Sequence, residues 1–235
     1  MESSPYIRDL GVYLADDCSW TYHVNKIAAE ARQIAGWVLG AFRDRSTITM
    51  MTLFKSLVRS KVEYCCPLWN PAKITDIQSI ENVQKEFTRK IAGLSQLDYW
   101  ERLKKLRLLS LQRRRERYTI IHVWKILNDK VPNNIGMTFY TSLRLGSRAT
   151  VPRYSNKAQK SVASCYDNSF GVKAARLWNV LPKNVNCQTT LETFKAALGE
   201  FIVKFPDMPP VTGYTPPNNN SLLDWSSVGG KGVCA

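Results

Sequence analysis

Apolar residues recurring every three or four positions, segment after segment, restrict this chain more than any other feature. Val24, Ile27, Ala28, Ala31, Ile34, Ala35, Val38 and Phe42 share one helical face, whereas a strand would scatter them over both of its faces. Leu53, Phe54, Leu57, Val58 and Val62 predict a second helix that opens near Ser46 or Thr47 and ends before Pro67. Thr75 and Gln78 have the spacing of a capping box, and Ile77, Ile80, Val83, Phe87 and Ile91 follow, with a stop at Gly93. A shorter helix from about Asp98 carries Leu103 and Leu106. A long one starts at Ser110 and runs through Tyr118, Ile121 and Trp124 to about Leu127. Five helices on short connections predict a compact bundle.

The flanks read differently. Residues 6–15 alternate loosely and predict a short strand, after which Asp16, Asp17, Cys18 and Ser19 supply turn chemistry and a cap, Asp17 or Ser19, for the first helix. Residues 130–168 carry Pro, Gly, Ser and Asn without a period, and predict loop with a short strand or two. Helical character returns in FGVKAARLWNVLP and TTLETFKAALGEFIVKF. From Pro206 the chain is rich in Pro, Asn, Gly and Ser, which predicts a disordered tail dispensable for folding. The fold class expected is mainly α: a helical bundle with a short N-terminal β piece and a smaller helical C-terminal region. The expected divisions are 1–19 for the strand and turn, 20–129 for the bundle, 130–205 for the helical region with its irregular linker, and 206–235 for the tail.

Tyr13-Leu14-Ala15-Asp16-Asp17 has the look of a polymerase metal site. Two-metal nucleotidyl transfer needs carboxylates from separate strands around ions roughly 4 Å apart. About a dozen residues precede the pair, none forming such a strand, and Leu14 is one residue too many between the aromatic and the small side chain. Acidic residues ahead of a helix are favoured there anyway by its positive end. The pair is read as structural. His23 and His122 have no triad-like company, and VGGKGV near the C-terminus lacks the spacing of a phosphate loop. No catalytic residue, metal site or cofactor is expected.

Charge is more informative. Lys and Arg number 33 against 19 acids, leaving +14. In residues 85–117 eleven cations face four acids, so +7, half of the excess, lies in about a seventh of the chain. Such a run suits phosphate, since the acids that would neutralise a plain solvated face are scarce. The candidate nucleic-acid-binding residues are Lys104, Lys105, Arg107, Arg113, Arg114, Arg115 and Arg117. The four arginines fall on the first turns of one helix and cannot all face the core, and the other three lie just before them and would extend the same surface. Tyr99, Trp100 and Tyr118 could stack on bases, although the core is the expected fate of these rings. Six cysteines without framework spacing, no signal-peptide pattern and no membrane-length apolar run predict reduced thiols in an intracellular protein, cytoplasmic or nuclear.

The order of these pieces resembles the C-terminal part of non-LTR (LINE-type, jockey-like) retrotransposon reverse transcriptases. The pieces are DLGVYLADDCSWTYHVNKI, LFKSLVRSKVEYCCPLWNP, IENVQKEFTRKIAGL, YWERLKKLRLLSLQRRRERYTIIHVWKILN and AARLWNVLP with TLETFKAAL, spanning about residues 10–205. The resemblance implies that Leu10, Gly11 and Val12 lie beyond the palm's catalytic aspartates, near the primer-gripping hairpin. It places residues 20–93 in the thumb and the later blocks in the post-thumb region. It also implies that the catalytic palm, the fingers and any endonuclease are missing here. The expected activity is sequence-independent binding of RNA or DNA backbone, such as a primer–template, with no membrane, no small-molecule substrate, and self-association through apolar faces once covered by the palm. The rival class is a non-catalytic structural or protein-interaction module, an element remnant whose basic face has no ligand.

Overall fold

A computed structural model describes residues 5–134, 136–142, 146–150, 166–213 and 220–224. The chain is mainly helical with a short N-terminal antiparallel sheet, and it divides into two compact units. The first is Met1–Gln112 with Met208–Asn219, and the second is Arg113–Asp207 with Asn220–Ala235. The division falls inside a helix, not after it at residue 129 as the sequence predicts.

In the first unit β1 (Tyr6–Asp9) and β2 (Val12–Ala15) pair antiparallel, Tyr6 opposite Ala15 and Asp9 opposite Val12. Residues 6–15 are thus a hairpin, not one strand. Its two-residue turn needs positive φ at both positions, and Leu10 (φ 44°) and Gly11 (φ 86°) supply it. Leucine at the first position hides the hairpin from a search for Asn-Gly or Asp-Gly. Tyr6 stacks on Tyr22 with ring centroids 3.8 Å apart, tying the hairpin to the helix that follows.

Helix α1 (Thr21–Ala41) buries Val24, Ile27, Ala28, Ala31, Ala35 and Val38, the predicted stripe, while Phe42 stays exposed beyond its end. Its cap position is Trp20, without a side-chain cap. Asp17 instead accepts the Ser19 amide at 2.8 Å and so stabilises the turn, which corrects the expected cap. Alanines at 28, 31 and 35 let α1 lie close along α4 (Ile74–Thr88). Polar ties run up the pair: the Thr21 hydroxyl donates to Asp76 at 2.9 Å, and Arg32 donates to the Ser79 carbonyl at 3.0 Å and pairs with Glu86. The two helices therefore run in the same direction. Helix α4 begins before Thr75, with Lys73 at the cap and no side-chain cap, so the Thr75–Gln78 box does not form.

Between them the chain forms α2 (Thr47–Leu53), a wider π turn (Phe54–Val58) and α3 (Arg59–Glu63). The Ser46 hydroxyl caps α2 by accepting the Thr49 amide. Buried Met50, Phe54, Val58 and Val62 are spaced by four. An α-helix drifts about 40° per step of four, and the wider π turn takes up that drift and keeps the four in register.

Helix α4 has a polar back. Glu81, Gln84 and Thr88 are buried and face α5 (Tyr99–Leu106) and the start of α6 (Leu111–Leu127). Glu81 accepts the Tyr99 hydroxyl, the Leu111 amide at 3.0 Å and the Gln112 amide at 3.3 Å. A carboxylate from another helix thereby satisfies amides at the N-terminus of α6. The predicted tail is not free where it is described. Val211 packs on Tyr99 and Leu103, while Asn82 and Lys85 donate to the Thr212 hydroxyl and carbonyl, each at 3.0 Å.

The second unit takes α6 from Arg113 onward, a hairpin of β3 (Thr138–Ser142) and β4 (Gly146–Thr150), α7 (Phe170–Asn179), α8 (Lys183–Asn186) and α9 (Leu191–Ile202). Trp124 and Trp178 stack on Phe194 at 5.7 and 5.8 Å. The Asn179 amide pairs with both backbone groups of Ala149, extending the ladder at β4 with a side chain. Asn220 and Leu222 are buried here, and the Leu222 amide donates to Glu116 at 3.0 Å. Residues 206–213 and 220–224 are thus ordered parts of the fold, and Trp225 and VGGKGV lie outside the described residues.

Candidate nucleic-acid interface

Lys104 and Lys105 close the last turn of α5, where cations suit the carbonyl end of the helix. Arg107 follows at its C-cap with φ 50° and ψ 44°, a left-handed conformation that normally falls to glycine. All three are exposed. Helix α5 is started by a capping box the sequence reading missed: the Glu101 amide donates to Asp98 at 2.8 Å, and the Asp98 amide donates to Glu101 at 3.0 Å. Both nearby acids are thereby engaged with backbone.

Arg102, on the same helix, does the opposite of its neighbours. It is 3% exposed and donates to the Thr88 hydroxyl at 3.2 Å and to the carbonyls of Lys85 and Leu97. Burial disfavours its charged form, Tyr99 and Asp98 favour it, and the approach of Arg89 works against it. The guanidinium thus fastens α5 to the last turn of α4, near enough to Arg89 to feel its like charge. Exposed Arg89 and Lys90 join the candidate set on this ground. They belong to the charge run in the sequence, but nothing there tells an exposed cation from a buried one such as Arg102. Among the described residues none of Arg89, Lys90, Lys104, Lys105 and Arg107 forms an ion pair.

The four arginines of α6 divide. Arg113 and Arg115 are fully buried and do not belong to an exposed surface, which corrects their assignment. Arg113 donates to the Pro206 carbonyl at 3.0 Å and the Asn220 carbonyl at 2.8 Å. Burial disfavours its charge, while Asp207 and Glu116 support it. Glu116 is buried too, its carboxyl raised above the usual range by burial and held back chiefly by Arg113. Lys173 on α7 is lowered to about 8, by burial and then by Arg115. Arg113 and Arg115 thus belong to an internal charge network of the second unit. Burial also disfavours the charged form of Arg117, and the nearby Arg114 adds to the effect. Arg114 and Arg117 stay half-exposed, and Arg114 donates to the Tyr118 hydroxyl at 2.6 Å and lies over its ring. Of the rings considered for stacking, Tyr99 is core, while Trp100 and Tyr118 are half-buried.

Asp16 and Asp17 are exposed at the end of the hairpin. Among the described residues no three His, Cys, Asp or Glu side chains gather as a metal site, and no helix is long and apolar enough to cross a membrane. Cys18, Cys65, Cys66 and Cys187 are free thiols. Comparison with models of known protein families, with curated proteins and with solved structures finds no match for this chain.

Proposed function

We propose that this chain is the C-terminal, thumb and post-thumb part of a non-LTR retrotransposon reverse transcriptase. It binds nucleic-acid backbone through Arg89, Lys90, Lys104, Lys105 and Arg107 of its first unit, and no catalytic role is assigned to its residues. The observation that carries the reading is this group of exposed cations at the C-terminal ends of α4 and α5, none in an ion pair among the described residues, with Asp98 and Glu101 engaged in a capping box and Glu86 paired with Arg32. Arg107 adds to it, because a bulky residue in a left-handed conformation costs stability that a neutral role would not demand. Arg114 and Arg117 are further contacts on the second unit.

The test is the salt dependence of binding to an RNA–DNA primer–template hybrid. Each phosphate engaged contributes roughly −0.7 to −0.9 to the log–log slope, so four contacts give a slope near −3. Changing the five cations to Gln is expected to flatten it by about that much without altering sequence preference. A five-site variant that keeps the parent's slope refutes the site. A second reading, a structural or protein-interaction module, draws on large apolar side chains left in water: Trp37 is 67% exposed and Ile48 83%. It is the outcome if the parent binds no hybrid.

A further inference from the structure

We propose that a cleft between the N-terminal hairpin, α1 and the π turn with α3 binds a small organic anion with an aromatic or branched apolar body. The cleft lies wholly within the first unit and has a volume of about 360 Å³, at the lower end of the range for small-molecule sites. Its walls are apolar where a ligand's body would rest, on Ile27 and Ile34 of α1, Leu57 of the π turn and the ring of Tyr13. One end is tied shut by the Tyr64 hydroxyl, which donates to the Leu10 carbonyl at 3.0 Å and joins the hairpin turn to the residue after α3.

Two features give the cleft its chemistry. The first is charge. Arg8 and Lys61 line it with a single carboxylate, Glu30, which Lys61 holds at 2.7 Å. That hydrogen bond, with the charges of Lys61, Lys26 and Arg8, keeps the Glu30 carboxyl below its usual range despite partial burial. The balance around the carboxylate is positive, and Arg8, lying over the Tyr13 ring, is the cation left for a ligand. The second is His23, 1% exposed, which also lines the cleft. Its Nδ1 accepts the Tyr13 amide at 3.3 Å, so the neutral ring carries its proton on Nε2. Among the described residues Nε2 has no hydrogen-bond partner. Nε2 is closed off from solvent, and the ring packs edge-to-face on Trp69 with centroids 4.9 Å apart, so His23 belongs to the floor of the cleft and reports on its occupancy. An anion satisfies the charge of Arg8 and a cation does not, while His23 beneath the cleft senses which of them is bound.

The chain holds only two histidines, which makes the test clean. With labelled histidine, the full chain is titrated with indole-3-acetate, its neutral analogue indole-3-acetamide and the cation tryptamine, and the imidazole resonances are followed. The anion is expected to shift His23 saturably and leave His122 in place, with at least tenfold weaker binding of the other two probes. Arg8→Gln is expected to weaken the anion about tenfold. Leu57→Trp, which fills the cleft from a partly exposed position, is expected to abolish the shift with circular dichroism unchanged. Equal affinity for the three probes, no movement of His23, or full-strength binding by either variant overturns the proposal. None of these outcomes bears on the cations of α4 and α5, so this site and the nucleic-acid reading fail separately.

Discussion

Removing the Glu81 carboxylate is expected to unseat the start of α6. In the folded chain this buried group accepts three donors: the Tyr99 hydroxyl and the amides of Leu111 and Gln112. Glu81→Ala leaves all three without that acceptor in a site with no exposure to water. Each orphaned donor costs about 1–3 kcal/mol, and the lost charge at a helix N-terminus adds up to about 2 kcal/mol. These contributions overlap, and relaxation or an entering water recovers part of them, so the expected loss is about 4 kcal/mol. That is a large share of the roughly 5–15 kcal/mol by which domains are stable. Urea denaturation followed by circular dichroism is expected to show a midpoint about 1.3–2 M lower, for a slope near 2–3 kcal/mol per M. Native-state hydrogen exchange gives the local readout, because the Leu111 and Gln112 amides should lose protection first. Glu86→Ala on the same helix is the control, as its ion pair with Arg32 is exposed and worth less than about 1 kcal/mol. A cycle of Glu81→Gln with Tyr99→Phe should give a coupling of about 1 kcal/mol or more. If Glu81→Ala costs no more than Glu86→Ala, the carboxylate does not hold α6 and the reasoning fails.

Other consequences follow from single residues. His23 is held at about 4 by burial, well below the ordinary 6.5, with Lys61 acting in the same direction and Glu30 opposing. The unfolded chain therefore binds the proton first, and stability should fall as pH drops from about 6.5 to 4 and level off below; the loss is up to about 3 kcal/mol, absent in His23→Gln. Val211→Asp buries a carboxylate against Tyr99 and Leu103 and should cost about 2–4 kcal/mol, with limited proteolysis now cutting near residues 208–213. Arg107→Gly relieves a left-handed conformation and should stabilise the chain by roughly 0.5–1 kcal/mol in thermal melts, while hybrid binding loses about one phosphate's worth of salt slope.

The basic segment shows how far a one-dimensional reading reaches. Local rules recovered what is local: the α1 stripe from Val24 to Val38, the Ser46 cap and the apolar face of α4 all follow from side-chain period and backbone hydrogen bonding. They went wrong where two local answers compete. Asp17 closes a turn in place of capping α1, and Thr75 falls inside a helix that starts one residue earlier. The tail was misread because composition measures how much apolar surface a segment carries, not whether a groove awaits it. Val211 and Leu222 suffice to dock their segments, since each finds a prepared place.

The sequence by itself determined that the chain is mainly helical, where its main helices run, and that positive charge gathers in residues 85–117. Those properties depend on neighbours within a turn or two. Only the tertiary structure decided what each cation does. Arg102, Arg113 and Arg115 are spelled like Lys104 and Arg107, yet they go inside, because carbonyls at Lys85 and Leu97, or at Pro206 and Asn220, wait for Arg102 and Arg113, and Glu116 shares the interior of the second unit. A guanidinium is buried only where several acceptors converge on it. Such convergence joins residues as far as 107 positions apart in sequence, which no local pattern can encode.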